Sequence, residues 1–326
     1  MIPIPYLERF RARTIAKRDS RSPAADDPEA WDRDTVLMRG LGIGLHETLA
    51  FLIGGAPSLD AFEAWILERN GGVIEPSRIE QINAAIDGRI EELGTGEPLA
   101  PALDAGDLAF FAEHGYVVLH DAVPLQQARD AEAAIWTFLG MSPDDPASWY
   151  ADPHGHSIWV PLLQHPAIWA NRRAPRIRSA FAQLWGRDDL WVTVDQAGMN
   201  PPETPAWTFP GPNLHFDVGL VPPVPFGLQG ILYLTDTDAD QGAFTCVPGF
   251  HRRIDAWLRD MPPGEDPRAF DLARLDPKPI AGRAGDLIVW HQALPHGSSP
   301  NRARRPRLVQ YVAMQPSRIE TRDGWR

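Results

Sequence analysis

Between Leu190 and Met314 the chain is written mainly in short apolar runs with which helices do not alternate, and this limits the possible folds more than any other feature. Leu190–Ala197 and Gly230–Leu234 alternate, while Ala243–Val247, Leu287–Trp290 and Leu308–Met314 are largely apolar. Turn signals such as Ala239-Asp240-Gln241-Gly242 and Ala284-Gly285-Asp286 separate them. Parallel strands need a crossover between them, usually a helix, so successive strands without helices predict antiparallel pairing. The 33 prolines lie in loops and between these runs, not in one tract. Together these features predict an antiparallel sandwich or jelly roll with helices packed outside.

The helices come first. Apolar periodicity predicts helices over Tyr6–Lys17, Asp34–Ile53, Leu59–Arg69 (with Ser58 as N-cap) and Pro76–Leu93. A turn-rich stretch at 94–107 then leads to a short helix at Asp107–His114, a strand at Tyr116–His120 and helices at Leu125–Leu139 and Ile168–Trp185. The expected organisation is a helical N-terminal extension over 1–100, packing on a core domain over 101–326. That extension suits a cover for one face, a lid or the contact of a homodimer. A formal net charge of −12 argues against nucleic acid or an anionic membrane as a general partner and leaves a small-molecule substrate. The one cysteine, Cys246, cannot form an intramolecular disulfide, and neither a leader-like apolar segment nor a spanning run is present, so a cytoplasmic location is expected.

Chemistry concentrates at NLHFDVGL and LPHGSSPNRARRPRLVQ. On a strand, His215 and Asp217 share a face and Phe216 takes the other, so both can reach one metal. A His-x-Asp pair is weak evidence alone. A distant His296 returning beside it would complete two imidazoles and one carboxylate, the facial set of non-haem iron(II) sites. Arg307, Val309 and Tyr311 share a strand face, and a buried arginine without a protein carboxylate calls for a ligand carboxylate. His291 competes with His296 as the distal ligand; His296 sits in HGSSPN, ahead of Arg307. His154 and His156 have metal-like spacing without a third ligand beside them and suit a loop at the pocket mouth. His251 suits a turn supporting the site or a substrate contact, and His114 and His120 flank a core strand. Trp149, Tyr150, Trp159, Trp207 and Phe209 lie in Pro-rich loops, where substrate selectivity commonly sits.

Over roughly residues 105–315 the chain resembles the phytanoyl-CoA dioxygenase family of iron(II)- and 2-oxoglutarate-dependent oxygenases. The resemblance runs from FFAEHGYVVLHDAV through HPAIWANRRAPRIRSAFAQLWGRDDL, NLHFD and DADQGAFTCVPGFHRR to AGDLIVWHQALPHGSSPNRARRPRLVQYVAM. It implies an α+β, β-rich fold: a double-stranded β-helix (jelly-roll, cupin-like) core with flanking helices. It also implies His215, Asp217 and His296 as catalytic iron(II) ligands, Arg307 on the far carboxylate of 2-oxoglutarate, and O2 as the oxidant. Tyr311, Asn200 and Gln196 are then candidate co-substrate contacts, and Trp159, His156, Phe209 and His251 candidate substrate contacts. Two positions depart from the family pattern: Phe216 stands where glutamine is common, and a lysine that often holds 2-oxoglutarate is replaced near Met199-Asn200. Related halogenases lack the carboxylate ligand, so an intact Asp217 implies hydroxylation or another C–H oxidation. Two other readings stay open: a cupin-like metal enzyme that does not use 2-oxoglutarate, and a non-catalytic binding or sensor protein on the same fold.

Overall fold

The computed structural model describes residues 1–18, 30–89, 99–151 and 157–318. The chain divides into two compact units, Met1–Pro98 with Arg187–Val194 and Met314–Ile319, and Leu99–Gly186 with Asp195–Ala313 and Glu320–Arg326.

The first unit holds helices α1 (Tyr6–Arg18), α2 (Ala30–Gly40), α3 (Leu45–Gly55), α4 (Leu59–Arg69) and α5 (Pro76–Ile86). Ser58 caps α4 by accepting from the Ala61 N–H at 3.2 Å. Asp34–Ile53, expected as one helix, is two: α2 and α3 meet at 101°. Gly42 adopts φ 65° in the break, a left-handed conformation that favours glycine. Leu37, Leu41, Ile43, Leu52, Phe62 and Ile66 fill this unit's core. No single helix among the described residues is long and apolar enough to cross a membrane. The helix expected over Pro76–Leu93 stops at Ile86, and residues 90–98, which include the start of the 94–107 stretch, lie outside the described residues.

The second unit contains α6 (Ala105–His114), β1 (Tyr116–Leu119), α7 (Leu125–Leu139), β2 (Trp159–Val160), α8 (Pro166–Arg172) and α9 (Pro175–Trp185). Asp104 and Asp107 form a capping box on α6, and Gly115 closes it at φ 77°. The run Ile168–Trp185 is broken because Pro175 has no N–H to donate and drives Ala174 to an extended conformation.

Of the following strands, β3 (Leu190–Val192) belongs to the first unit, where it pairs with β11 (Met314–Pro316). The rest are β4 (Ala197–Asn200), β5 (Leu228–Tyr233), β6 (Phe244–Cys246), β7 (Lys278–Ile280), β8 (Leu287–His291), β9 (His296–Gly297) and β10 (Arg307–Tyr311), with α10 (Ile254–Arg259) between β6 and β7. Thus Leu190–Ala197 and Leu308–Met314, each expected as one strand, divide between two sheets. The second unit is a double-stranded β-helix. Its larger sheet runs β1-β8-β5-β10-β4-β2 and its smaller β7-β6-β9, and every pairing is antiparallel. Alternate residues from both sheets build one core: Ile231 and Tyr233, Ile288 and Trp290, Phe244 and Cys246. Each large apolar side chain buried there contributes about 1.5–3 kcal/mol.

Candidate metal centre

His296 opens β9 and is buried, and the chain at His215 runs beside it. The His215 N–H donates to the His296 carbonyl at 2.9 Å, and the His296 N–H returns the bond at 3.0 Å. Gly297 permits this approach, since a Cβ there would stand 2.6 Å from the Asn213 carbonyl oxygen. His215 and Asp217 were expected on one strand, but only His215 is bridged, and Asp217 lies in a bend. The bend is held from outside. Arg268 donates from Nη1 to the Phe216 carbonyl at 2.9 Å and from Nη2 to the Val218 carbonyl at 2.7 Å. Phe216, in place of the family's glutamine, is buried in the core against Phe250 and Trp257.

The result is a converging donor set. Asp217 Oδ1 lies 3.3 Å from His215 Nε2, and Oδ2 lies 3.3 Å from His296 Nε2. Two ligands about 2.1 Å from one ion and at right angles stand about 3 Å apart, so this spacing suits a shared metal. Among the described residues these three form the group of His, Cys, Asp or Glu able to hold a metal, with ligand atoms within 4.8 Å of one another. Each imidazole is turned the required way. His215 Nδ1 lies 2.7 Å from the Asn213 carbonyl and His296 Nδ1 2.9 Å from the Leu294 carbonyl. A carbonyl only accepts, so Nδ1 carries the proton and Nε2 keeps its lone pair for the metal. Burial pushes the Asp217 carboxyl up, but with no metal bound its close contacts with His215 and His296 and the bond from Gln229 outweigh it and hold the group well below the usual carboxylate range. Burial likewise opposes charge on His215, yet Asp217 and the Asn213 carbonyl raise its pKa.

Arg307 opens β10, fully buried. Its Nη1 donates to Ser298 Oγ at 3.1 Å, whereas Nε and Nη2 have no hydrogen-bond partner among the described residues. Orphaned donors on a buried guanidinium are costly, and a ligand carboxylate satisfies them in a planar fork. The residues therefore fit both iron and a dicarboxylate co-substrate. Asn200 pairs with Arg307 across β4 and β10. Its Nδ2 donates to the Ser299 carbonyl, and its buried Oδ1 is also without a partner. Tyr311 shares the Arg307 strand face, and burial raises its pKa against the lowering effect of Arg307 and Ser298. The Trp159 ring packs on it at 4.8 Å. Gln196 meets Tyr311 through its backbone, accepting the Tyr311 N–H at 3.1 Å.

The other candidates lie elsewhere or outside the description. His251 packs on His291 at 5.2 Å and bonds the Ala112 carbonyl at 3.2 Å. Phe209 is half-buried, its N–H donating to Glu203. His291, the rival of His296, packs against Phe226 and is absent from the triad. His154 and His156 lie outside the described residues. Four residues of the site had no motif to announce them: Ser298 under Arg307, Arg268 behind the bend, and the Gln229–Trp290 pair beside Asp217. Ser298, two positions after His296, is the one whose spacing offered a signal.

The family model for phytanoyl-CoA dioxygenase (PhyH) matches residues 111–309, more than half of the chain. The chain belongs to this family, whose members are non-haem enzymes using iron(II), 2-oxoglutarate and O2. A Dictyostelium discoideum protein bearing the phytanoyl-CoA dioxygenase name is 21% identical over 260 residues, covering 64% of this chain and 74% of its own. The Aspergillus versicolor Ava biosynthesis cluster protein O is 22% identical over 249 residues, covering 65% and 77%. Among solved structures, the non-haem α-ketoglutarate-dependent carbocyclase SnoK of nogalamycin biosynthesis aligns with a TM-score of 0.49 at 19% identity, covering 71% of this chain and 91% of its own. HygX of Streptomyces hygroscopicus, with nickel and 2-oxoglutarate bound, aligns at 0.49 and 16% identity, covering 66% and 88%.

Proposed function

We propose that this chain is an iron(II)- and 2-oxoglutarate-dependent dioxygenase that hydroxylates, or otherwise oxidises, an unactivated C–H bond of a small organic substrate. The observation that carries this reading is one arrangement: His215, Asp217 and His296 converge, and a buried Arg307 in the same unit offers two unpartnered donors. A metal enzyme that does not use 2-oxoglutarate has no need of that guanidinium.

His215, Asp217 and His296 would hold the iron, and Arg307 would take the far carboxylate of 2-oxoglutarate, backed by Ser298. The bound pair supplies the oxidising power: O2 and 2-oxoglutarate are consumed, succinate and carbon dioxide leave, and one oxygen atom reaches the substrate in a hydroxylation. The protein's own work is placement. The Asn213 and Leu294 carbonyls fix the imidazole tautomers, and burial around Arg307 keeps its charge for a carboxylate instead of water. Trp159, more than a third exposed above Tyr311, is the residue we assign to the substrate side.

The test is O2-dependent release of succinate from 2-oxoglutarate by the full chain with iron(II) and ascorbate, across a panel of small organic substrates. Succinate release that stops in Asp217→Ala and His296→Ala supports the reading. No turnover with any substrate, and no binding of 2-oxoglutarate to the metal-loaded protein, would sink it.

A further inference from the structure

Asp217 needs more restraint than its backbone gives it. It sits in a bend outside any ladder, and its side chain is 43% exposed. A carboxylate so placed gains hydration by rotating into solvent, which would remove a ligand from the triad. With both imidazoles protonated at Nδ1, their Nε2 atoms have no proton to give Asp217, and what stands against this rotation among the described residues is the hydrogen bond from Gln229 Nε2 to Asp217 Oδ2 at 2.8 Å.

The amide making that bond is itself fixed. Gln229 on β5 and Trp290 on β8 are direct partners in the sheet register. The indole Nε1–H donates to Gln229 Oε1 at 3.0 Å. An indole nitrogen only donates, so it selects the amide orientation in which oxygen faces Trp290 and the N–H group faces Asp217. A flipped amide would set two donors against each other and an oxygen against the carboxylate. The relay therefore runs one way, from Trp290 to Gln229 to Asp217, and its end is a metal ligand.

We propose that Gln229 is a positioning residue for the metal centre, locked by Trp290 and holding the Asp217 carboxylate toward His215 and His296. This inference rests on the metal-site reading above. It predicts a residue that changes metal affinity without touching the metal. Partners in the layer behind a ligand typically alter affinity by about 10–100-fold.

The experiment is a titration of the metal-free full chain with cobalt(II) alone, followed by visible absorption, in wild type, Gln229→Leu, Asp217→Ala and the double variant. Gln229→Leu is expected to weaken cobalt binding by about 10–100-fold, while the metal-free protein still unfolds cooperatively in urea, at a lower midpoint because the buried Trp290 N–H loses its acceptor. In the Asp217→Ala background the same substitution should cause no further loss, because it acts through that carboxylate. Wild-type affinity in Gln229→Leu, or equal losses with and without Asp217, overturns the proposal. Should Gln229→Leu fold poorly, Trp290→Phe removes the orienting N–H and keeps the apolar bulk. It should weaken cobalt binding in the same direction, and wild-type affinity there also overturns the proposal. Undiminished cobalt binding by Asp217→Ala is a different result: it rejects the metal site itself.

Discussion

Replacing Arg307 with methionine should make the protein more stable alone and less stable in the presence of its co-substrate. The guanidinium is fully buried, keeps one hydrogen bond to Ser298 and leaves two nitrogens unpartnered. An unsatisfied buried donor costs about 1–3 kcal/mol, and more when charged, while the bond that methionine forfeits contributes about 1 kcal/mol. The balance favours methionine by about 1–3 kcal/mol, in line with other replacements of buried charge by apolar groups. With 2-oxoglutarate the sign reverses. At a thousand times its Kd a ligand stabilises the native state by about 4.1 kcal/mol, more than the whole advantage of methionine. Truncating one side of a buried, hydrogen-bonded charge pair costs about 2–5 kcal/mol, so the variant should gain almost none of that stabilisation. Urea unfolding followed by tryptophan fluorescence, with nickel(II) present and 2-oxoglutarate absent or added, measures both effects. The curves of wild type and variant should exchange order on adding 2-oxoglutarate. A variant less stable without the co-substrate, yet shifted by it as far as wild type, would refute both the cost assigned to the buried charge and the clamp.

His296→Ala removes a buried imidazole of the proposed metal site, and should abolish succinate release and weaken cobalt(II) binding, measured by titration, by more than the about 10–100-fold expected for a residue behind a ligand. Gly297→Ala should also weaken cobalt binding, because its Cβ would meet the Asn213 carbonyl oxygen at 2.6 Å and the Leu214 nitrogen at 3.1 Å. Backbone cannot yield there as a flexible side chain can, so the segment that orients His215 must shift. Cobalt affinity in wild type should fall as pH drops through the imidazole range, beginning above the usual value because Asp217 and Asn213 raise His215. Protonated His215 offers no lone pair. His291 sets a separate pH dependence of stability. Burial, aided by His251, lowers its pKa from 6.5 to about 4, so between these values the unfolded chain binds the extra proton and stability falls as pH decreases. A shift of that size is worth about 3 kcal/mol across the window. His291→Asn, compared with wild type by urea unfolding from pH 7 to 4.5, should flatten that fall, and equal slopes would exclude His291 as its source.

The divided legibility of this site has a physical source. Metal ligands and a carboxylate clamp must be particular residue types, because few side chains bind iron or form a planar fork, so His215, Asp217, His296 and Arg307 stand out in the sequence. The antiparallel class was legible for a related reason: a buried strand must be apolar, and strands with which helices do not alternate exclude a parallel sheet, even with α10 between β6 and β7. What lies behind the ligands obeys no such restriction. Gln229 is a polar residue in a strand, and it meets Trp290 only because two segments 61 residues apart pair in that register. Arg268 sits in a 3-10 turn, and its fork reaches two carbonyls about fifty residues earlier. Many donors in a chain with 31 lysines and arginines could serve that purpose, so nothing in the motif announces which one does. The period-two argument for His215 and Asp217 shows the same divide. Their ligand atoms do converge, but through a bridge to His296, the Arg268 fork and the Gln229 amide instead of a continuous strand. Local alternation thus identifies which side chains are available to a metal, and tertiary hydrogen bonds determine whether they remain there. A ligand on a bend depends on the second condition far more than a ligand on a strand, which is why Asp217, among the three, is the one most exposed to changes in residues that never touch the metal.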